Sequence, residues 1–129
     1  MPASATVLVI DDELEILDAT KWILESKGYK VYTAQSTETG ARYLSSVHPN
    51  LLLIDHKLPS LSGTQWLKQV RAVNPQLPAI MITGLTSEFN SIEAFCRHYG
   101  VICLRKPLQI DLLLKTVKEV LKEPRSDKE

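Results

Sequence analysis

Five short apolar runs recur along the chain, and a segment with helical periodicity separates each run from the next. The runs lack strict alternation of polar and apolar residues: TVLVI (6–10), KVYTA (30–34), LLLI (51–54), AIMIT (79–83) and VICL (101–104). Runs of this kind are typical of strands buried on both faces, as in a parallel sheet covered by helices. The sequence therefore predicts five parallel strands that alternate with five helices.

The segments between the runs carry apolar residues at helical spacing. Leu14, Leu17 and Leu24 share one face of the first predicted helix, and Gly28 is placed to end it. Ser87 is placed to cap the start of the fourth. The predicted helices cover about 13–28, 37–47, 62–73, 87–99 and 110–121. Because crossovers between parallel strands are right-handed, we expect a doubly wound α/β sandwich with helices on both faces of the sheet.

A length of 129 residues predicts one domain, assigned here to 1–122, with a polar tail or the start of a linker at 123–129. Fifteen acidic side chains balance fifteen basic ones, so no nucleic acid or membrane contact is expected. No run approaches a membrane span of roughly 20 residues, the N-terminus does not resemble a signal peptide, and a cytoplasmic location is expected.

Cys96 and Cys103 fit no zinc pattern and are expected to be thiols packed in the core.

Charged and hydroxyl side chains follow four of the predicted strands at the point where each ends. Asp11 and Asp12 follow the first strand and Asp55 the third, while Thr83 ends the fourth and Lys106 follows the fifth. The carboxyl ends of parallel strands lie along one edge of the sheet, so these side chains should converge. Taken alone, the first acid pair could be only the N-terminal cap of a helix.

Three carboxylates brought together would repel one another at neutral pH. A divalent hard cation removes the conflict, and Mg²⁺ typically takes one or two carboxylates and keeps positions open for water or phosphate. With Lys106 the charges sum to about zero, which suits an incoming phosphoryl group. Asp55 emerges singly from the middle of the sheet and is the candidate nucleophile.

The motifs VIDDE, LLLIDHKLP, MITG and LRKPL, in this order, resemble the receiver domain of two-component response regulators, and the resemblance covers about residues 6–121. It implies the flavodoxin-like strand order 2-1-3-4-5 and a phospho-accepting switch that uses Mg²⁺. It also implies a histidine kinase or histidine phosphotransfer protein as donor. Such a domain catalyses only its own phosphorylation and dephosphorylation. Its output is expected from a downstream protein or from an output domain absent from these residues.

The resemblance also implies which residues form the metal site. Asp55 is the phosphorylated residue, and Asp55 and Asp12 are direct metal ligands, whereas Asp11 acts through metal-bound water. The backbone carbonyl of Lys57 completes the metal shell. Lys57 and Leu85 also occupy the two positions that tune how fast water removes the phosphoryl group, and this pair leaves the lifetime of the phosphorylated state open.

The resemblance assigns phosphoryl binding to the hydroxyl of Thr83 and the ammonium of Lys106, and it implies a cis bond between Lys106 and Pro107. Cys103 departs from the family pattern, because the family usually has tyrosine or phenylalanine there. That ring moves between buried and exposed positions as the threonine moves. Without it, we expect the response to concentrate in the loops after the third and fourth strands, with little change on the fourth helix.

Three other functions are compatible with parts of the pattern. A receiver-like interaction module that works without phosphorylation would have no use for the acids, the threonine and the lysine. A hydrolase with an aspartyl intermediate, like the haloacid dehalogenases, needs a second acid two residues after the nucleophile, where this chain has Lys57. A flavin site needs a phosphate-binding first loop, which the DDE sequence would repel.

Overall fold

The computed structural model describes residues 5–58, 61–84 and 89–122. Ser87, Leu85 and the 123–129 tail, which the sequence analysis singled out, lie outside this part of the chain. Strands and helices alternate as the apolar runs predict. The elements are β1 (Thr6–Ile10), α1 (Leu14–Glu25), β2 (Lys30–Ala34), α2 (Thr37–Val47), β3 (Leu51–Asp55), α3 (Gly63–Val73), β4 (Ala79–Thr83), α4 (Phe89–His98), β5 (Ile102–Arg105) and α5 (Ile110–Lys122).

The five strands form one parallel sheet in the order β2-β1-β3-β4-β5. The predicted fold class and strand order are confirmed. β1 and β3 are neighbours, with Ile10 opposite Ile54, so the segments that follow these two strands leave the sheet side by side. The order of the strands reverses at this pair, and in open α/β sheets the crevice at such a reversal is where ligands bind.

Each face of the sheet carries its own apolar core. One core packs α1 and α5 against the sheet and includes Val9, Leu17, Leu53 and Leu113. The other packs α2, α3 and α4 and is built around Trp66. Nearly every residue of β1, β3 and β4 is buried, which explains why these strands read as continuous apolar runs without alternation. None of the helices in the described ranges is long and apolar enough to cross a membrane.

Several boundaries and faces differ from the sequence analysis. β3 extends one residue further, to Asp55, and β5 is shifted one residue later than the predicted run. Leu17 and Leu24 are buried, but Leu14 is 56% exposed because it opens α1 beyond the edge of the core. Cys96 is buried as expected, whereas Cys103 is only partly buried and packs at the margin of the core.

Candidate functional site

Three carboxylates meet at the carboxyl ends of β1 and β3. Side-chain oxygens of Asp11, Asp12 and Asp55 all lie within 4.8 Å of one another. Asp11 and Asp55 are nearly buried, 5% and 6% exposed, whereas Asp12 is exposed to solvent. The adjacency of β1 and β3 produces this cluster, since it places the residues that follow both strands at one crevice.

The acid pair after β1 does not cap the following helix. Helix α1 begins at Leu14, and its N-cap position is Glu13, which makes no side-chain capping bond. The backbone N–H of Glu13 instead donates to the Asp11 carboxylate at 2.9 Å. This bond turns Asp11 toward the start of α1 and holds it beside Asp55, so the simpler interpretation of the pair as an N-cap is wrong.

Lys106 brings a positive charge to the cluster from the far side of the crevice. Its ammonium nitrogen lies 3.1 Å from Oδ1 of Asp55, and the lysine side chain is 39% exposed against 7% for the aspartate. The peptide bond between Lys106 and Pro107 is cis, as the resemblance implies. Asp55 is therefore the carboxylate in the cluster that forms an ion pair with the lysine.

Burial and the neighbouring acids together make ionisation of Asp11 and Asp55 unfavourable. Burial raises the pKa of Asp11 to about 6, and the charges of Asp55 and Asp12 add to the rise, although the Glu13 N–H and Lys106 oppose it. Burial also raises the pKa of Asp55, with Asp12 adding to it and Lys106 opposing it. Burial lowers the pKa of Lys106, but the hydrogen bond to Asp55 and the surrounding acids outweigh burial and raise it overall.

These shifts predict that, without divalent cations, the fold loses stability as pH rises through about 6. A carboxyl group with a raised folded-state pKa binds its proton more tightly when folded, so its contribution is fully present below 3.8 and is lost as pH passes about 6. At about 1.4 kcal/mol per pKa unit, Asp11 contributes at most about 3 kcal/mol.

The measurement is urea unfolding at pH 5 and pH 8 in EDTA, for the wild type and for Asp11→Asn. The asparagine variant should lose less stability between the two pH values and should exceed the wild type at pH 8. Equal pH dependence in both proteins would show that the Asp11 charge is not the source of the instability. Glu13→Gln removes the charge of an exposed acid two residues after Asp11 and serves as the matched control.

Lys57 and Thr83 lie at the ends of the two central strands, as predicted. Lys57 follows β3, and its backbone N–H bonds the carboxylate of Asp55. The predicted metal-ligating role of the Lys57 carbonyl stays a prediction. Thr83 ends β4 at 1% exposure, and its hydroxyl lies 3.4 Å from the carbonyl oxygen of Gly84 as a donor. The backbone N–H of Lys106 donates to the Thr83 carbonyl at 2.8 Å, which fixes β5 beside β4 at the site.

Gly63 allows the start of α3 to approach the end of β3 closely. Its N–H donates to the His56 carbonyl at 2.7 Å. A Cβ added to Gly63 would lie 2.8 Å from the backbone oxygen of Asp55 and 2.9 Å from Cα of His56. The sequence predicts a helix start at Ser62–Gly63, and Ser62 and Gln65 do form a capping box there. No local sequence pattern predicts the close approach.

A cavity of about 460 Å³ adjoins the acid cluster, and sequence reasoning missed it. It lies between α1, the neighbouring strands and α5, and its walls are mainly apolar, with Ile16, Ala19, Ile23 and Leu113 among them. Glu13, Asp55 and Lys106 also line it. Glu13 was not singled out from the sequence, although it directly follows the acid pair in DDE.

Sequence comparison relates this chain to a known protein family. The family model of the response regulator receiver domain matches residues 7–118. The chain is 34% identical over 86 residues to the alkaline phosphatase synthesis transcriptional regulatory protein PhoP of Bacillus subtilis, covering 67% of this chain and 36% of PhoP. It is 32% identical over 118 residues to the hydrogenase transcriptional regulatory protein HoxA of Cupriavidus necator, covering 91% of this chain and 24% of HoxA. The chain thus spans about a third or less of either relative.

Solved structures show the same similarity in three dimensions. A CheY-like response regulator receiver domain protein from Methanospirillum hungatei superposes with a TM-score of 0.84 at 36% identity, covering 93% of this chain and 95% of that one. A receiver domain from Clostridium thermocellum superposes with a TM-score of 0.83 at 31% identity, covering 94% and 97%. Both similarities extend over nearly the whole length of each chain.

Proposed function

This chain belongs to the response regulator receiver domain family, and from that premise we propose that it is a switch phosphorylated on Asp55. The observation that carries the proposal is the 3.1 Å ion pair between Lys106 and Asp55, formed at the edge of a three-carboxylate cluster. The pair places a cation beside one acid, at the position where a phosphoryl group on that acid would need its charge neutralised. We infer a phosphohistidine on a kinase or phosphotransfer protein as the donor.

The donor set fits Mg²⁺. Three carboxylates offer the hard oxygen ligands that this ion prefers, and the exposed Asp12 leaves one side of the cluster open to water. Burial, with the neighbouring acids adding to it, raises the pKa values of Asp11 and Asp55, and a divalent cation would favour the ionised form of both carboxylates. Asp12 and Asp55 would hold the ion directly, Asp11 through water, and the Lys57 carbonyl would complete the set. When bound, the ion neutralises charge on the phosphoryl oxygens.

The protein's own residues then divide the transfer among them. A carboxylate oxygen of Asp55 attacks phosphorus, and the phosphorus–nitrogen bond of the donor breaks with its electron pair going to the imidazole nitrogen. The ammonium of Lys106 shifts from the carboxylate to a phosphoryl oxygen, and the hydroxyl of Thr83 donates to another. Asp55 itself is nearly buried, so water would reach an acyl phosphate there mainly from the open side of the cluster beside Asp12.

The test of this proposal is intact-mass spectrometry after incubation with acetyl phosphate, in Mg²⁺ and in EDTA. One phosphoryl group per chain should appear in Mg²⁺ and none in EDTA, and borohydride reduction followed by peptide mapping should place it on Asp55. His56 is adjacent and nucleophilic, so mapping the adduct to His56 would overturn the proposal. Equal incorporation in EDTA would overturn the role of the metal.

Mg²⁺ should stabilise the wild type by mass action, and Asp12→Asn should abolish that effect. At ten times the dissociation constant the stabilisation is about 1.4 kcal/mol, roughly 5 °C in melting temperature for a domain of this size. The variant should melt at or slightly above the wild-type temperature in EDTA, because one like charge is gone. Thermal melts with and without Mg²⁺ measure both effects, and Glu13→Gln is the control expected to keep the Mg²⁺ shift. A wild-type-sized shift in Asp12→Asn would contradict the assignment of this ligand.

A further inference from the structure

Three sulfur atoms meet on the sheet face opposite α1 and α5. They belong to Met81 of β4, Cys96 of α4 and Cys103 of β5, and all three residues pack in the same core. Met81 and Cys103 are direct partners across the β4–β5 pairing. Sγ of Cys96 lies 4.0 Å from Sδ of Met81. Cys96 and Cys103 therefore both pack around Met81, one from α4 and the other from the neighbouring strand.

The backbone keeps the two thiols in register. The N–H of Val101 donates to the carbonyl of Cys96 at 2.7 Å, which joins the end of α4 to the chain just before β5. Gly100 makes the turn between them with φ +68°, a conformation that glycine adopts without strain. Val101 and Cys103 are two residues apart on an extended segment and so face the same side. Cys103 therefore faces the same core as Cys96.

The two thiols differ in access. Cys96 is 1% exposed, whereas Cys103 is partly exposed and is the one that a small solute in water can reach. Burial raises the pKa of both thiols, that of Cys96 to about 12. Both are therefore mainly protonated at neutral pH, and their oxidation should be slower than that of a low-pKa sensor cysteine.

We propose that Cys96 and Cys103 are a redox pair that closes to an intramolecular disulfide and ties α4 to β5. The oxidant is a peroxide. Hydrogen peroxide oxidises the accessible Cys103 thiol to a sulfenic acid and releases one water. The Cys96 sulfur then attacks the Cys103 sulfur, the sulfur–oxygen bond breaks, and a second water leaves with the thiol proton. Two thiols are oxidised and one peroxide is reduced to two waters.

The disulfide would join α4 to β5, the strand that leads directly into Lys106. With the bond closed, α4 cannot shift relative to β5 as a separate body, whereas the three acids lie at the ends of β1 and β3, which the bond does not join. This consequence for signalling rests on the proposed function, but formation of the bond does not. Oxidation therefore gives the domain a state that still accepts a phosphoryl group while its α4 response is restricted.

The bond is tested by treating the whole protein with hydrogen peroxide, quenching with an alkylating agent and measuring intact mass and non-reduced peptides. The expected product is a monomer that has lost two hydrogen atoms, with Cys96 and Cys103 peptides linked and separable by dithiothreitol. Cys96→Ser should instead yield sulfenic acid on Cys103, and Cys103→Ser should leave Cys96 largely unmodified. Disulfide-linked dimers, or separate oxidation of each thiol to sulfinic acid, would overturn the proposal.

A second measurement separates the bond from its consequence. Amide chemical shifts are recorded with and without beryllofluoride and Mg²⁺, in the reduced and in the oxidised protein. Shifts at Lys57 and Gly84 should be the same in both forms, and the small shifts expected along α4 should shrink at least twofold on oxidation. Undiminished α4 shifts in the linked protein would refute the restriction alone, whereas absence of shifts at Lys57 and Gly84 in both forms would count against the proposed function and leave the bond intact.

Discussion

Replacing Asp55 with asparagine should reduce phosphoryl incorporation from acetyl phosphate to background, the largest functional effect expected of any single substitution in this chain. Asparagine preserves the shape of the side chain but has no anionic oxygen to attack phosphorus. The wild-type carboxylate accepts from the Lys106 ammonium through Oδ1, and the amide oxygen of asparagine can still accept that bond. Loss of incorporation would therefore report the lost nucleophile and not a collapsed site.

The measurement is the time course of intact mass in Mg²⁺ for the wild type, Asp55→Asn and Glu13→Gln. Glu13 lines the same cavity as Asp55 and carries the same charge, so its variant controls for the loss of one negative charge near the site. Circular dichroism and urea unfolding establish that Asp55→Asn is folded. Sustained single phosphorylation of the folded Asp55→Asn protein at the wild-type rate would remove Asp55 from the mechanism.

Gly63→Ala should be the most destabilising single-methyl addition at the site, lowering the unfolding free energy by about 3 kcal/mol. The new methyl would lie 2.8 Å from the Asp55 backbone oxygen and 2.9 Å from Cα of His56. Both obstacles are backbone atoms of the β3 end and cannot rotate away, so α3 must move back. That movement would stretch the 2.7 Å bond from the Gly63 N–H to the His56 carbonyl.

Gly84→Ala is the matched control, because its nearest neighbour would be Cδ of Lys106 at 4.0 Å, an ordinary contact. Its unfolding free energy should stay within about 0.5 kcal/mol of the wild type. Urea midpoints at constant slope measure both variants. If Gly63→Ala unfolds at the wild-type midpoint, the approach of α3 to β3 is looser than the structure shows.

Much of the fold could be predicted from periodicity, for a physical reason. β1, β3 and β4 are buried on both faces, so burial itself produces the continuous apolar runs by which they are recognised. The strand-end rule then brought Asp11, Asp55 and Lys106 together without any knowledge of side-chain positions. The buried faces of the helices were harder to predict, as the exposure of Leu14 shows, because apolar spacing does not reveal where a helix extends past the core.

The features that escaped prediction depend on distances between elements. The close approach of the β3 backbone to Gly63 and the raised pKa of Asp11 both arise from packing between elements, which no local sequence pattern predicts. The packing of Cys96 and Cys103 around Met81 escaped prediction for the same reason, since each cysteine taken alone is an ordinary core residue. The cis bond before Pro107 was predicted through the family resemblance, because such bonds are uncommon in general.

The order of the strands also has a consequence for how the chain folds. Pairing of β1 with β3 brings the acids together, but Lys106 arrives only when β5 docks on β4, and β5 is the last strand in the part of the chain that the structure describes. A sheet without β5 would hold the negative charges with no counter-ion, so partly folded species are disfavoured relative to both the unfolded and the complete domain. The charge layout thereby sharpens folding cooperativity. In EDTA, the unfolding transitions followed by near- and far-ultraviolet circular dichroism should coincide. A populated intermediate would contradict this cooperativity.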